Sequence, residues 1–173
     1  FICVSIRPAT VCGYSPRTRL DLSVNILTNH AINNGRITVF GGKQLRPNLH
    51  ISDMCDVYEM MLTAPAEKIH GETFNIGYQN LSIAEIAKLV RAVVMKEFPE
   101  MGDIDIITTE SDDPRSYHIN SDKIRRVLGY QPKRSIEDAA RELCRAFKDD
   151  RLPDSMEDDR YFNVKRMKAL SAT

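Results

Sequence analysis

The chain lacks tryptophan, an excess of either charge, and any long apolar run. Its 173 residues carry 24 Lys+Arg against 24 Asp+Glu. That balance gives no electrostatic draw toward nucleic acid or an anionic membrane surface. No stretch approaches the roughly 20 apolar residues that a membrane-spanning helix needs. The opening Phe1-Ile2-Cys3-Val4-Ser5-Ile6-Arg7 has neither the basic start nor the cleavage site of a secretory leader. Cysteine is sparse: Cys3, Cys12, Cys55 and Cys144 form no CxxC pair and no Cys/His group at zinc spacing. A metal centre is therefore not expected, and free buried thiols in a reducing compartment, the cytoplasm, are. No Gly-x-Gly-x-x-Gly phosphate loop occurs.

What is present is an ordinary globular balance, 42% hydrophobic and 28% charged, in a chain long enough for one cored domain. Phe1 to Ile6 is an apolar run of β-formers ended by Arg7-Pro8. It reads as a buried strand entered in mid-protein, so the chain is expected to be a piece with its N-terminal half missing. Val11 to Arg19 reads as a loop. Leu22, Ile26, Leu27 and Ala31 fall at helical spacing up to Asn34-Gly35. Ile37 to Phe40 reads as a short strand turned by Gly41-Gly42, and Asn48 to Ile51 as another extended piece. Ser52-Asp53 is placed to cap a helix with Met54, Val57, Tyr58, Met61 and Leu62 on one face.

Thr73 to Ile76 reads as a strand. Ser82-x-x-Glu85 is a capping box that opens a helix to about Glu97, with Ile86, Leu89, Val90 and Val93 inward. Ile104 to Ile107 is a further strand, followed by a charged loop from Ser111 to Tyr117. Ser121-Asp122 opens a short helix ending at Leu128-Gly129. Ser135 with Asp138 opens a last one to about Lys148. Residues after Arg151 read as a polar tail or peripheral helix. Strands alternating with helices make the class α/β.

The order of several short motifs resembles the extended short-chain dehydrogenase/reductase family, in its nucleotide-sugar epimerase/dehydratase branch, of the UDP-glucose 4-epimerase kind. The pieces are Ile6-Arg7-Pro8-Ala9-Thr10-Val11-Cys12-Gly13; Ile37-Thr38-Val39-Phe40-Gly41-Gly42 with Arg46-Pro47; Leu49-His50-Ile51-Ser52-Asp53; Phe74-Asn75-Ile76-Gly77; and Arg115 leading to Asp122-Lys123 and Leu128-Gly129-Tyr130-Gln131-Pro132. The resemblance implies the C-terminal part of a Rossmann-type NAD(P)-binding fold plus a small mixed α/β substrate-binding lobe. Residues 1–20 would be a late Rossmann strand and loop, and 21–47 a helix and strand of the lobe. Residues 48–78 would be a late Rossmann helix and strand, 79–150 the rest of the lobe, and 151–173 a tail.

The family's Gly-rich NAD loop and its catalytic Tyr-x-x-x-Lys pair belong to the half expected to be missing, and neither is recognised here. The resemblance thus implies the substrate-binding portion of an NAD-dependent 4-epimerase, inactive by itself. NAD would be bound mainly by the missing half, with NADP open, and the full-length protein is expected to be a homodimer. A 4,6-dehydratase, a reductase, or a non-catalytic dinucleotide-binding sensor or scaffold are the alternatives.

By the same resemblance Pro8 and Ala9 border the nicotinamide. Thr10, Asn25, Val39, Phe40, Arg46 and Arg115 face a nucleoside diphosphate sugar. The chemistry suits that ligand, because guanidinium forks match phosphate oxygens in pairs. The guanidinium groups of Arg46 and Arg115 are expected within about 10 Å of each other, a span a diphosphate and its ribose could bridge. Arg17 and Arg19 read as solvated loop charges, near enough to substitute or assist, and His50 reads as a structural histidine.

Overall fold

In the computed structural model, residues 1–111 and 115–171 are described. Strands β1 (Ser5–Pro8) and β2 (Thr10–Cys12) open the chain. Helix α1 (Ser23–Asn34) ends at Gly35, whose left-handed φ of 62° a side chain would resist. Then come β3 (Arg36–Phe40), β4 (Leu45–His50), α2 (Ile51–Thr63), the single turn α3 (Ala66–Ile69), β5 (Thr73–Ile76) and β6 (Gln79–Ser82). Helix α4 (Ile83–Glu97), β7 (Asp105–Thr109), α5 (Asp122–Leu128), α6 (Ile136–Lys148) and α7 (Asn163–Ser171) complete the order.

The strands form three small sheets. β1 pairs parallel with β5, from Ser5 opposite Thr73 to Pro8 opposite Ile76. β3 pairs parallel with β7. β4 lies between β2, parallel to it, and β6, antiparallel. Pro8 does not end β1 one residue earlier, as its missing N–H suggests. It takes the last position, and Ala9 resumes the ladder by donating to the Ile76 carbonyl at 2.7 Å. Strand β2 occupies part of the expected loop, and β6 has no apolar pattern to announce it: its four residues, Gln-Asn-Leu-Ser, are all half-buried.

Two main cores sit on either side of the central sheet. One gathers Val24, Leu27 and Ala31 of α1, Ile37 and Val39 of β3, Ile86, Val90 and Val94 of α4, and Ile136, Ala139 and Ala140 of α6. The other gathers Leu49, Met54, Val57, Phe74, Ile76, Ile124 and Tyr130. Each fully buried branched or aromatic side chain contributes about 1.5–3 kcal/mol by leaving water. The inward face expected for α2 is only half right: Met54 and Val57 are buried, but Tyr58 is 56% and Leu62 88% exposed. A third cluster joins Leu20 and Leu143 to Leu152 and Tyr161, so the polar segment after Arg151 packs against α6 rather than trailing free.

The two main cores are tied by a buried carboxylate. Asp53, fully buried on α2, accepts from the Lys133 and Arg134 amides and from the Arg134 guanidinium at 2.7 Å. The Tyr130 hydroxyl donates to the Asp53 carbonyl at 2.8 Å. A buried charge is tolerable because each acceptor position is used. Two of the four thiols, Cys12 and Cys144, are buried as expected, while Cys3 and Cys55 are exposed, and all four are free. No described helix is long and apolar enough to cross a membrane.

Candidate functional site

In α/β sheets, ligands bind outside the carboxyl ends of the strands. A cavity of about 650 Å³ opens there, beyond β1 and β2. Pro8, Ala9, Thr10, Asn25, Pro47 and Tyr117 are among its lining residues. Arg7, Arg17 and Arg19 also line it, and no carboxylate does among the described residues. A second cavity of about 240 Å³ lies between α1 and β3, lined by Ile26, His30, Phe40, Gln44, Arg46 and Ile83 among others. It too has no carboxylate lining among the described residues.

The two cavities adjoin. Leu22 and Pro47 line the first, and their chain neighbours Ser23 and Arg46 line the second. Between them the Arg46 guanidinium stacks 5.1 Å from the centre of the Tyr117 ring. Arg46 Nη1 donates to the Arg115 carbonyl at 2.5 Å and to its own neighbour's, Leu45, at 3.0 Å. The Leu45 amide donates to Ser116 Oγ at 2.9 Å and the Tyr117 amide to the Leu45 carbonyl at 3.4 Å. The segment 115–117 is thereby laid along the start of β4. The Arg46 side chain thus meets the backbone of Arg115.

Strand alternation sorts Val39 from Phe40. Val39 is 1% exposed within the first core, whereas Phe40, 59% exposed, turns to the second cavity. Asn25 borders the first cavity but is 2% exposed, and its amide is engaged by the loop around it. Its Oδ1 accepts from the Gly13 amide at 3.0 Å, and its Nδ2 donates to the Arg19 and Gly13 carbonyls at 2.8 and 3.3 Å. Arg19 forks onto Asp21 at 3.0 and 3.2 Å. The charged loop expected at 111–117 falls partly outside the described residues, at 112–114.

Cys12 lines the first cavity but is not an activated nucleophile. Burial holds the Cys12 thiol neutral, its pKa pushed up to about 12, and its sulfur lies 3.4 Å from the Leu49 carbonyl that it faces. His50 is structural, as expected: its Nδ1 accepts from the Ser52 amide at 3.1 Å and caps α2, in place of the serine expected there. One sequence reading needs correction. Tyr161-Phe162-Asn163-Val164-Lys165 does have the Tyr-x-x-x-Lys spacing. However, Tyr161 is 5% exposed, its hydroxyl donates to the Pro153 carbonyl at 3.1 Å, and burial raises its pKa. Lys165 turns to the Glu157 carbonyl. An acid–base tyrosine needs the opposite shift and a place at the cavity. Among the described residues, no group of three His, Cys, Asp or Glu side chains could hold a metal ion.

Residues 1–77 match the model of the NAD dependent epimerase/dehydratase family. The chain carries that family's Rossmann-type fold. It is similar to UDP-glucose 4-epimerase of Lactobacillus helveticus, 30% identical over 132 residues, 69% of this chain and 37% of the relative. It is similar also to dTDP-glucose 4,6-dehydratase of Escherichia coli, 27% identical over 135 residues, 75% of this chain and 37% of the relative. The crystal structure of dTDP-glucose 4,6-dehydratase from Bacillus anthracis in complex with NAD superposes with a TM-score of 0.67 at 20% identity, over 84% of this chain and 44% of that one.

These findings correct several expectations. The likeness is not confined to a C-terminal half of the fold, because solved relatives superpose on 83–86% of the chain. The region that the NAD-dependent family model recognises is present, at residues 1–77. It folds here as the parallel pairs β1–β5 and β2–β4 packed on α2. The readings of a mere substrate-binding portion, of a segment inactive by itself, and of NAD held mainly by a missing half are therefore set aside. The chain spans about two fifths of the length of the curated relatives it matches, 37–42%.

The sequence reading missed Arg7, Tyr117, His118 and Ile119 as cavity residues. Arg7 carried a usable signal, since it stands at the carboxyl end of a strand. Residues 117–119 carried none, because only the pairing with Leu45 and Asn80 brings them to the cavity.

Proposed function

We propose that the chain serves an NAD-dependent epimerase or dehydratase acting on a nucleoside diphosphate sugar. The observation that carries this is the pair of adjoining cavities, lined by Arg7, Arg17 and Arg46 and divided by the stacked Arg46 and Tyr117. A nucleoside diphosphate sugar has a flat apolar base, a doubly charged linker and a polar sugar, in that order. The order of surfaces matches: Phe40 for the base in the smaller cavity, Arg46 for the linker at the divide, and Thr10 for the sugar in the larger one.

NAD, implied by the family, fits the larger cavity on the side of Pro8 and Ala9. The backbone there ends a parallel strand, and the nearby cations Arg7 and Arg17 suit an anionic cofactor. When bound, NAD supplies hydride transfer at the sugar. The residues of this chain bind and orient: Arg46 fixes the linker, Asn25 fixes the loop 13–19 around the sugar, and the cavity walls limit water. The names of the relatives support the same class of substrate, since they act on dTDP-glucose and UDP-glucose.

Calorimetric titration of UDP and dTDP tests the reading. Arg46→Lys keeps the charge and loses the fork, so affinity should fall by about 10–150-fold, the equivalent of one charge-assisted bond. Undiminished binding in the variant would remove Arg46 from the site.

A further inference from the structure

The walls of the smaller cavity are set by periodicity. On α1, Ser23, Ile26, Leu27 and His30 recur at helical spacing and share one face of the helix. On β3, Thr38 and Phe40 alternate with the core residues Ile37 and Val39, so they share the other face of the strand. Ile83 also lines the space, and Arg46 lines it where the larger cavity adjoins. The result is a slot between a helix and a strand, with a volume of about 240 Å³.

The polar groups of this slot are not engaged alike. Ser23 Oγ donates to Asn48 Oδ1 at 3.0 Å, and Gln44 Nε2 donates to the Phe40 carbonyl at 2.6 Å. Arg46 is held by Tyr117 and by two carbonyls. The His30 ring and the Thr38 hydroxyl, by contrast, have no hydrogen-bond partner among the described residues. Both residues are half-buried. Burial holds the His30 pKa below the ordinary histidine value, so the ring is neutral at pH 7. A neutral imidazole carries one donor and one acceptor, and a hydroxyl carries both.

A nucleobase has two apolar faces and an edge of carbonyl and N–H groups. Phe40, Ile26 and Ile83 offer surface to the faces, and His30 and Thr38 are left to meet the edge. Polar groups that lose water in a pocket must find a bond there. The unengaged pair therefore favours a ring with a polar edge over a wholly apolar one.

We propose that His30 and Thr38 bind the hydrogen-bonding edge of the nucleotide's base in the smaller cavity and so determine its specificity. The inference rests on the nucleoside diphosphate reading of the two cavities. It adds which side chains distinguish a base from a bare diphosphate.

Calorimetric titration of the 173-residue chain with UDP, and separately with inorganic pyrophosphate, tests it. UDP carries the base edge, and pyrophosphate carries only the charged linker. His30→Phe keeps a flat ring and loses both hydrogen-bonding atoms. It should weaken UDP by about tenfold, the loss expected for one hydrogen bond, and leave pyrophosphate unchanged. His30→Gln restores a donor and an acceptor and should hold UDP within about threefold of the unmodified chain. Thr38→Val removes the hydroxyl and should weaken UDP in the same selective way. Failure of UDP to bind the unmodified chain would overturn the reading of the cavities and this inference with it. UDP affinity equal in His30→Phe and His30→Gln, or UDP and pyrophosphate weakened alike by His30→Phe, would overturn this inference alone.

Discussion

Asn25 shows how little a residue's type says about its task. An amide on a helix that faces a cavity is chemically able to meet a sugar hydroxyl, and the sequence invites that reading. The structure instead engages both ends of the amide with the backbone of Gly13 and Arg19, so Asn25 shapes the cavity by holding its loop. Asn25→Ala would leave the Gly13 amide and two carbonyls without partners in a buried place, at about 1–3 kcal/mol for each group that water cannot reach. Urea denaturation should show a loss of at least about 2 kcal/mol, with weaker nucleotide binding as a consequence. A loss within about 0.5 kcal/mol, the ordinary effect of a surface change, would show that the loop does not depend on it. Val39 and Phe40 are the opposite case. Their opposite facing is legible as strand alternation, although which of the two turns to the cavity is decided only by the core that claims Val39.

At the scale of elements, local chemistry announced most of the helix ends. The capping boxes Ser82–Glu85 and Ser135–Asp138 form as read, and Gly35 and Gly129 close their helices in the left-handed conformation. What could not be read is whatever depends on a distant partner. Strand β6 exists because β4 pairs with it. The cap of α2 is a histidine, a residue that no propensity favours there, and it works because burial keeps the ring neutral. His50 is 4% exposed, and burial lowers its pKa below the ordinary histidine value of 6.5. Glu142 and Asp53 oppose that shift, while Arg134 aids it and Asp138 opposes it more weakly.

The unfolded chain therefore takes up the proton before the folded chain does. The stability that neutral His50 contributes is present above about pH 6.5 and is lost as pH falls below it, toward the depressed folded-state value. His50→Asn keeps an acceptor for the Ser52 amide and removes the titration. Denaturation at pH 7.5, 6.5 and 5.5 should show stability falling with acid more steeply in the unmodified protein than in the variant. His30, also lowered by burial, titrates equally in both. Parallel pH profiles would refute the role of His50.

The molecule as a whole is two packed cores, joined at Asp53, with a cleft of two chambers along one side. Alternating strands and helices were enough for the α/β class, and Pro8, Ala9, Thr10 and Arg46, singled out by the motifs, line the two cavities. The part played by Tyr117 was not legible, because it reaches the cleft only through the run of residues 115–117 beside Leu45. The C-terminal segment was likewise underread: its composition is polar, yet Leu152, Ser155 and Tyr161 are buried against α1 and α6. The joint at Asp53 has its own consequence. Asp53→Ala would leave the Lys133 and Arg134 amides without their acceptor, while Arg134 keeps Asp56, and should lower stability by about 2 kcal/mol or more in thermal or chemical unfolding. A change under about 1 kcal/mol would show that the cores do not rely on it.

A crystal structure of the chain with UDP or dTDP bears most directly on the two-chambered cleft. Density for the base against Phe40, with the diphosphate at the Arg46–Tyr117 divide, is the expected result. A nucleotide found away from both chambers, or lying across the cleft with its base in the larger one, would contradict the assignment of the site.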